Sequence, residues 1–278
     1  MIALLLALGS SVAYGCADFL GGLGARKAHV LRTVLIAAPA SLAVELLLWP
    51  VLGASFSAGA LAWGAASGVA SAVAFALLYK ALAIGPMNVL SPVTALVSAA
   101  LPVGVGLLQG ERLGLAGLLG LPLALVAVVL VSAGHGAGSA RPSRTALLTA
   151  LGAGTAIALQ LICLHQAPSD SGVAPLIIGR AVASAVTLTA AGLLRRRLGT
   201  ERPAYAMSAA AGVLDSLANL MFLLAARSGD LAVVAVITAL YPVGTVLLAR
   251  GVLAERIYRG QLIGLGAAAV AVGLLALP

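Results

Sequence analysis

The chain has 278 residues, of which 62% are apolar and only 9% charged, with a mean hydropathy of +1.14. Soluble domains run near 45–50% apolar and about 25% charged, so a soluble fold of this length has nowhere to bury such a surface. The net charge of +8 lies in short connections between apolar runs, which makes it a topology signal and excludes a nucleic-acid partner.

A helix needs about 20 apolar residues to cross the hydrocarbon core. Ten runs qualify, at 3–22, 31–52, 59–80, 87–108, 114–133, 145–166, 174–194, 204–226, 231–250 and 260–277. They are continuously apolar, without the alternation of a β-barrel. Met1 opens straight into the first run with no basic segment before it, so a retained span is expected and not a cleaved signal. Span 1 carries Ser10, Ser11, Tyr14, Cys16 and Asp18. Span 2 carries Glu45 near its far end, where it either hydrogen-bonds a neighbouring helix or sits in the headgroup zone. Span 3 carries Ser71 and Phe75, and span 4 a stripe of Asn88, Ser91, Thr94, Ala95 and Ser98. Span 5 holds Gly114, Gly117 and Gly120.

The longest connection, Gly134 to Arg144, is rich in Gly and Ser and follows span 5. Span 6 carries Gln160, Cys163 and His165, span 7 Arg180, and span 8 Asp215 and Asn219. Span 9 carries Thr238, Tyr241, Pro242 and Thr245. Span 10 resembles span 5 in having almost no polar residues, and both are expected to pack the halves together at the periphery. Cys16 and Cys163 lie in apolar runs with no CxxC spacing, so they read as small buried hydrophobes; no metal site is expected.

Of the 16 Lys and Arg, most fall after spans 1, 3, 5, 7 and 9, among them Arg26, Lys27, Arg32, Lys80, Arg141, Arg144, Arg202, Arg250, Arg256 and Arg259. The other side has Arg112 and Arg227. Positive charge favours the cytoplasmic side, so both termini are expected outside.

The same unit occurs twice, 144 residues apart. Gly68-Val69 is answered by Gly212-Val213, Val93-Thr94-Ala95-Leu96 by Ile237-Thr238-Ala239-Leu240, and Gly110-Glu111-Arg112 by Ala254-Glu255-Arg256. Residues 1–134 and 145–278 thus read as two five-helix repeats joined by a loop at 135–144. An odd number of spans makes the repeats inverted. The expected fold is an all-α integral membrane protein of ten transmembrane helices around a central cavity.

Ala81 to Gly85, Ser91-Pro92-Val93-Thr94-Ala95-Leu96, Gly110-Glu111-Arg112-Leu113 and a Gly-containing final span resemble the EamA repeat of the drug/metabolite transporter superfamily. The second copy keeps Ala225 to Gly229, Thr238 to Pro242, Ala254-Glu255-Arg256 and Gly264, and Tyr14 to Gly22 looks like the first span of bacterial members. Arg32 and Arg180, near the start of the second span of each repeat, fit as well. The resemblance implies a bacterial inner-membrane exporter of amino acids, other small metabolites or drugs, with a cavity between the halves.

The 144-residue offset pairs Ser71 with Asp215 and Phe75 with Asn219. Asp215 and Asn219 share one helix face at i, i+4. A carboxylate midway along a span marks a functional site by default. Two readings stand: Asp215 lines the cavity, or it pairs with a structural donor such as Arg180. Tyr14 and Gln160 can hydrogen-bond a zwitterion, and Asn88, Ser91, Thr94, Thr238 and Tyr241 complete the expected lining. The alternative for the Ser and Thr residues is close helix packing. Pro92, Pro102 and Pro242 loosen the helical ladder and are hinge candidates. Glu111-Arg112 and Glu255-Arg256, at span ends, are expected to cap helix termini.

The absence of a Walker-type loop excludes ATP-driven transport by the chain alone. No catalytic set is apparent, since His29, His135 and His165 lie near span ends or in loops. No enzyme activity and no cofactor are expected, with proton coupling left open. The expected activity is export of small polar metabolites, above all amino acids, by a monomer using alternating access. The alternatives are a proton-coupled drug or metabolite antiporter, weakened because Asp215 is taken as the only central acid, and a lipid flippase, scaffold or intramembrane enzyme.

Overall fold

The computed structural model describes residues 1–85, 87–132, 143–194, 198–244 and 259–275. These form ten helices: α1 Ile2–Lys27, α2 Val30–Leu52, α3 Ala58–Ile84, α4 Met87–Leu108, α5 Leu115–Ser132, α6 Arg144–Gln166, α7 Ala174–Leu193, α8 Tyr205–Ala226, α9 Leu231–Thr238 and α10 Arg259–Leu275. Six of them (α1, α2, α3, α6, α7 and α8) are long and apolar enough to cross a membrane, and the other four contribute shorter apolar stretches. Among the described residues the only β-pairing is an isolated bridge between Ala54 and Gly172. The inter-repeat loop except Ser143 and Arg144, the Glu255-Arg256 pair, Thr245 and the side chains of Asn88, Pro92 and Gln261 lie outside the described residues.

Local signals set the helix ends. Ser57 and Ser143 cap α3 and α6, their hydroxyls accepting from the Ala60 and Ala146 amides at 3.1 Å. Gly53, at φ 70°, stops α2 with its amide bonded to the Trp49 carbonyl.

Packing is inverted relative to a soluble protein. Leu47, Leu115 and Leu193 point outward, each at least 75% exposed, while the interior is built largely from Ala, Gly and Ser. Lipid tails are as apolar as leucine, so contact between helices depends on close backbone approach. Two glycines 144 residues apart bring helix backbones into such contact. A Cβ on Gly68 would lie 2.4 Å from the Gly179 carbonyl oxygen of α7, and one on Gly212 would lie 2.0 Å from the Ala37 carbonyl oxygen of α2. The helix pairings also come in matched sets: α1 on α8 and α3 on α6, α2 on α8 and α3 on α7, with α5 on α10 at one side.

Connections after the even-numbered helices are laced together at one end. The Glu111 carboxylate accepts from the Leu231 and Ala232 amides at 2.6 and 2.9 Å, capping α9. The expected cap therefore exists, on a different helix from the one Glu111 follows. Arg227 donates to the Gly172 and Pro168 carbonyls and to the Ser171 hydroxyl. At the other end the Arg32 guanidinium holds the Gly199 and Glu201 carbonyls. Arg32 thus fastens a loop, whereas Arg180 is buried.

The ninth span is not one continuous helix. α9 stops at Thr238, the chain turns at Ala239-Leu240, and helix resumes at Tyr241. Pro242 has no amide hydrogen to offer the Thr238 carbonyl, so the ladder breaks there. By contrast, α4 runs without interruption through Pro92 and Pro102.

If the α2–α8 seam depends on that glycine, Gly212→Val should cost about 1–3 kcal/mol or more through overpacking, whereas Gly266→Val, with open space around its Cβ, should be neutral. Thermal unfolding of the detergent-purified variants reads the difference.

Candidate functional site

Arg180 is 3% exposed and lies in the first half of α7. Its Nη2 meets Asp215 Oδ2 of α8 at 2.6 Å, and its Nη1 donates to Ser71 Oγ of α3 at 2.9 Å. The guanidinium also lies over the Phe75 ring, 5.7 Å from the centroid. Asn219 Nδ2 donates to Asp215 Oδ2 at 3.2 Å and to the Asp215 carbonyl at 2.8 Å. Gln160 Nε2 of α6 then donates to Asn219 Oδ1 at 2.6 Å. The i, i+4 spacing lets Asn219 brace Asp215 from its own helix, and the chain of donors ties α3, α6, α7 and α8 together. A buried ion pair is tolerable because charge-assisted bonds and the aromatic face replace the lost water.

Two cavities flank this pair. The larger, about 510 Å³, is bounded by Tyr14, Asp18, Ser71, Phe75, Gln160, Asp215, Thr238 and Tyr241 among others. The smaller, about 170 Å³, is bounded by Ser67, Ser71, Gln160, Arg180 and Asn219. Ser71 and Gln160 border both, so the ion pair stands at the partition. Both sequence readings of Asp215 therefore apply at once: it lines the cavity and it pairs with Arg180.

Of the residues singled out in the sequence, Tyr14, Ser71, Phe75, Gln160, Asp215, Thr238 and Tyr241 come together around the larger space, and Asn219 around the smaller. Thr94 lies elsewhere. Its hydroxyl donates to Leu90 O of its own helix at 3.0 Å and Ala150 O of α6 at 3.3 Å, which is a packing contact. Ser91 offers its carbonyl to the Tyr241 hydroxyl at 3.4 Å and does not border either cavity.

Sequence reasoning passed over Asp18 as a lining residue and treated Asp215 as the only central acid. Asp18 is 9% exposed and borders the same cavity. The available signal was its i+4 spacing from Tyr14, which puts both on one face of α1. Unlike Asp215, Asp18 forms no salt bridge among the described residues. Near it, the Tyr14 and Thr238 hydroxyls are buried with no hydrogen-bond partner among the described residues. Polar atoms of this kind are costly when dry and unpaired, and they mark a place where a ligand or water completes the bonding. Ser98, from the polar stripe of span 4, borders the larger cavity, and Arg180 borders the smaller.

Residues 144–277 match the EamA-like transporter family. A solved crystal structure, 16% identical, matches with a TM-score of 0.76 over 99% of this chain and 96% of its own; at that identity the likeness shows the fold. No curated protein matches the chain.

Removing one partner from the buried ion pair leaves the other uncompensated. Arg180→Met should destabilise the protein by about 3–5 kcal/mol, and the double variant Arg180→Met/Asp215→Leu should recover most of that loss. Thermal unfolding of the two in the same detergent measures the recovery.

Proposed function

We propose that this protein, a multi-pass membrane transporter carrying an EamA-like transporter domain over residues 144–277, exports small zwitterionic metabolites, above all amino acids, by alternating access. As a transporter of that family it is a secondary transporter and not an enzyme. The observation that carries the substrate reading is the charge of opposite sign on the cavity system: Arg180 on one side and the unpaired Asp18 on the other. A carboxylate fits the guanidinium, with Gln160 as a second donor. An ammonium fits Asp18, with the unpartnered Tyr14 and Thr238 hydroxyls as further acceptors.

Several features support two inverted five-helix repeats at 1–134 and 145–278. Exchanging the halves turns the α1–α8 contact into α6–α3, and the α2–α8 contact into α7–α3. Gly68 and Gly212, 144 residues apart, make the equivalent close approaches. Inverted repeats rocking about a midplane site are a physical route to alternating access. On this reading Pro242, at the break in the ninth span, is a hinge, and Pro92 and Pro102 are hinge candidates in α4. The reading also puts a monomer in a bacterial inner membrane, both termini outside, because basic residues crowd the connections after odd-numbered helices.

Asp18 favours a second reading, efflux of an organic cation, in which Arg180 would be purely structural. Lipid scrambling and facilitated uniport are the remaining outcomes of a flux assay.

Purified protein in liposomes should exchange labelled L-amino acids without scrambling a fluorescent lipid. Asp18→Asn and Asp215→Asn should each lower that exchange about tenfold or more, given about 1.5–3 kcal/mol for a charged hydrogen bond, and Asn219→Ala less. Scrambling without amino-acid exchange would sink the proposal, and wild-type exchange in all three variants would sink the site.

A further inference from the structure

The buried acids outnumber the buried bases. Among the described residues Asp18, Glu45, Asp215 and Arg180 are the buried ionisable groups of the carboxylate and guanidinium type. Arg180 pairs with Asp215, and Asp18 borders a cavity where water or substrate can reach it. Glu45 has neither recourse. It lies in the C-terminal half of α2 at 0% exposure and borders neither cavity. Its Oε1 accepts from Ser216 Oγ of α8 at 2.5 Å, while its Oε2 has no hydrogen-bond partner among the described residues. Ser41, one turn earlier on α2, is buried with its hydroxyl unpartnered as well.

The helices packed on α2 are chiefly α8 and α7, with smaller contacts to α1 and α3. Of the charged groups on these helices, Arg180 on α7 and Asp215 on α8 act electrostatically on Glu45, and they already pair with each other. No cation lies within ion-pair distance of Glu45 among the described residues. A carboxylate buried with one hydroxyl donor and no cation within ion-pair distance has its charge poorly compensated, and an added proton would remove that cost.

We propose that Glu45 is a proton-binding site outside the substrate cavity, occupied in the conformation seen here and emptied when α2 parts from α8. The seam has a place to part. Gly212 and Ala37 clamp the two helices together, and Pro39, just beyond Ala37, deprives the Leu35 carbonyl of its helical donor. Opening beyond Pro39 lets water reach Glu45, and the proton leaves to that water. The carboxylate so formed is a second negative charge facing Arg180. It competes with Asp215 for the guanidinium and loosens the partition between the cavities. Proton release is thereby linked to the substrate site through Ser216, the residue that follows Asp215.

The coupling half of this inference rests on the transport reading, but the proton site does not, and the experiment separates them. Infrared spectra of the full chain in lipid at neutral pH read the carbonyl stretch of a protonated carboxyl group directly. Glu45→Gln should abolish a band that Asp18→Asn and Asp215→Asn retain, and Ser216→Ala should shift it by removing the hydroxyl donor. A band unchanged in Glu45→Gln overturns the proposal. Should that variant fail to reconstitute, Ser216→Ala decides: a shifted band supports the site and an unmoved one overturns it. In liposomes, Glu45→Gln should keep amino-acid exchange at equal pH yet lose its acceleration by an imposed pH gradient; acceleration at the wild-type level overturns the coupling. A wild type that moves no amino acid refutes the transport reading and leaves the infrared result to stand by itself.

Discussion

One buried guanidinium answers for the polar interior of this protein. Arg180 holds Asp215 by an ion pair, Ser71 by a hydrogen bond and Phe75 by its ring face, so α3 and α8 converge on a single side chain of α7. In a low-dielectric interior such a charge has no substitute for its partner, and its partner has none for it. The fixed pair then organises the remaining polar groups. Asn219 and Gln160 extend it along α8 and across to α6, and the cavities lie on either side. The two other buried acids, Asp18 and Glu45, form no ion pair with Arg180 among the described residues. On the proposed reading Asp18 meets a ligand in the cavity and Glu45 holds a proton.

That arrangement is possible because the helices approach so closely. Gly68 and Gly212 let backbones touch where any side chain would hold them apart, and large residues are spent on the lipid-facing surface. A membrane interior gains little from burying leucine against leucine, so cohesion falls to backbone contact and to polar side chains with exact partners. The end lacing has the same character. Glu111 caps α9 and Arg227 holds the connection after α6 through carbonyls.

Much of this was legible in the sequence. Apolar run length gave the helices, because span length is set by bilayer thickness. The 144-residue offset aligned Ser71 with Asp215, and those two residues meet opposite nitrogens of the same guanidinium. What stayed hidden depends on distance between helices. Whether Asp215 lined a cavity or paired with Arg180 could not be decided from a one-dimensional pattern, since the residues are 35 positions apart on different helices. Thr94 fitted the same helical stripe as residues near the site, yet its hydroxyl turns toward the Leu90 and Ala150 carbonyls. Asp18 sat in plain view beside Tyr14, but only the folded chain brings it to the same space as Asp215. The break at Ala239-Leu240 was announced by Pro242, although nothing in composition said that the turn would fall beside the cavity.

Competition in liposome exchange tests the two-charge recognition most directly. The competitors are an L-amino acid, the amine left when its carboxylate is removed, and the acid left when its ammonium is removed. With Arg180 taking one end and Asp18 the other, the intact zwitterion should compete at least about tenfold better than either fragment, since each lost charged hydrogen bond is worth about 1.5–3 kcal/mol. An amine that competes as well as the zwitterion would contradict the account and leave Arg180 as structure alone.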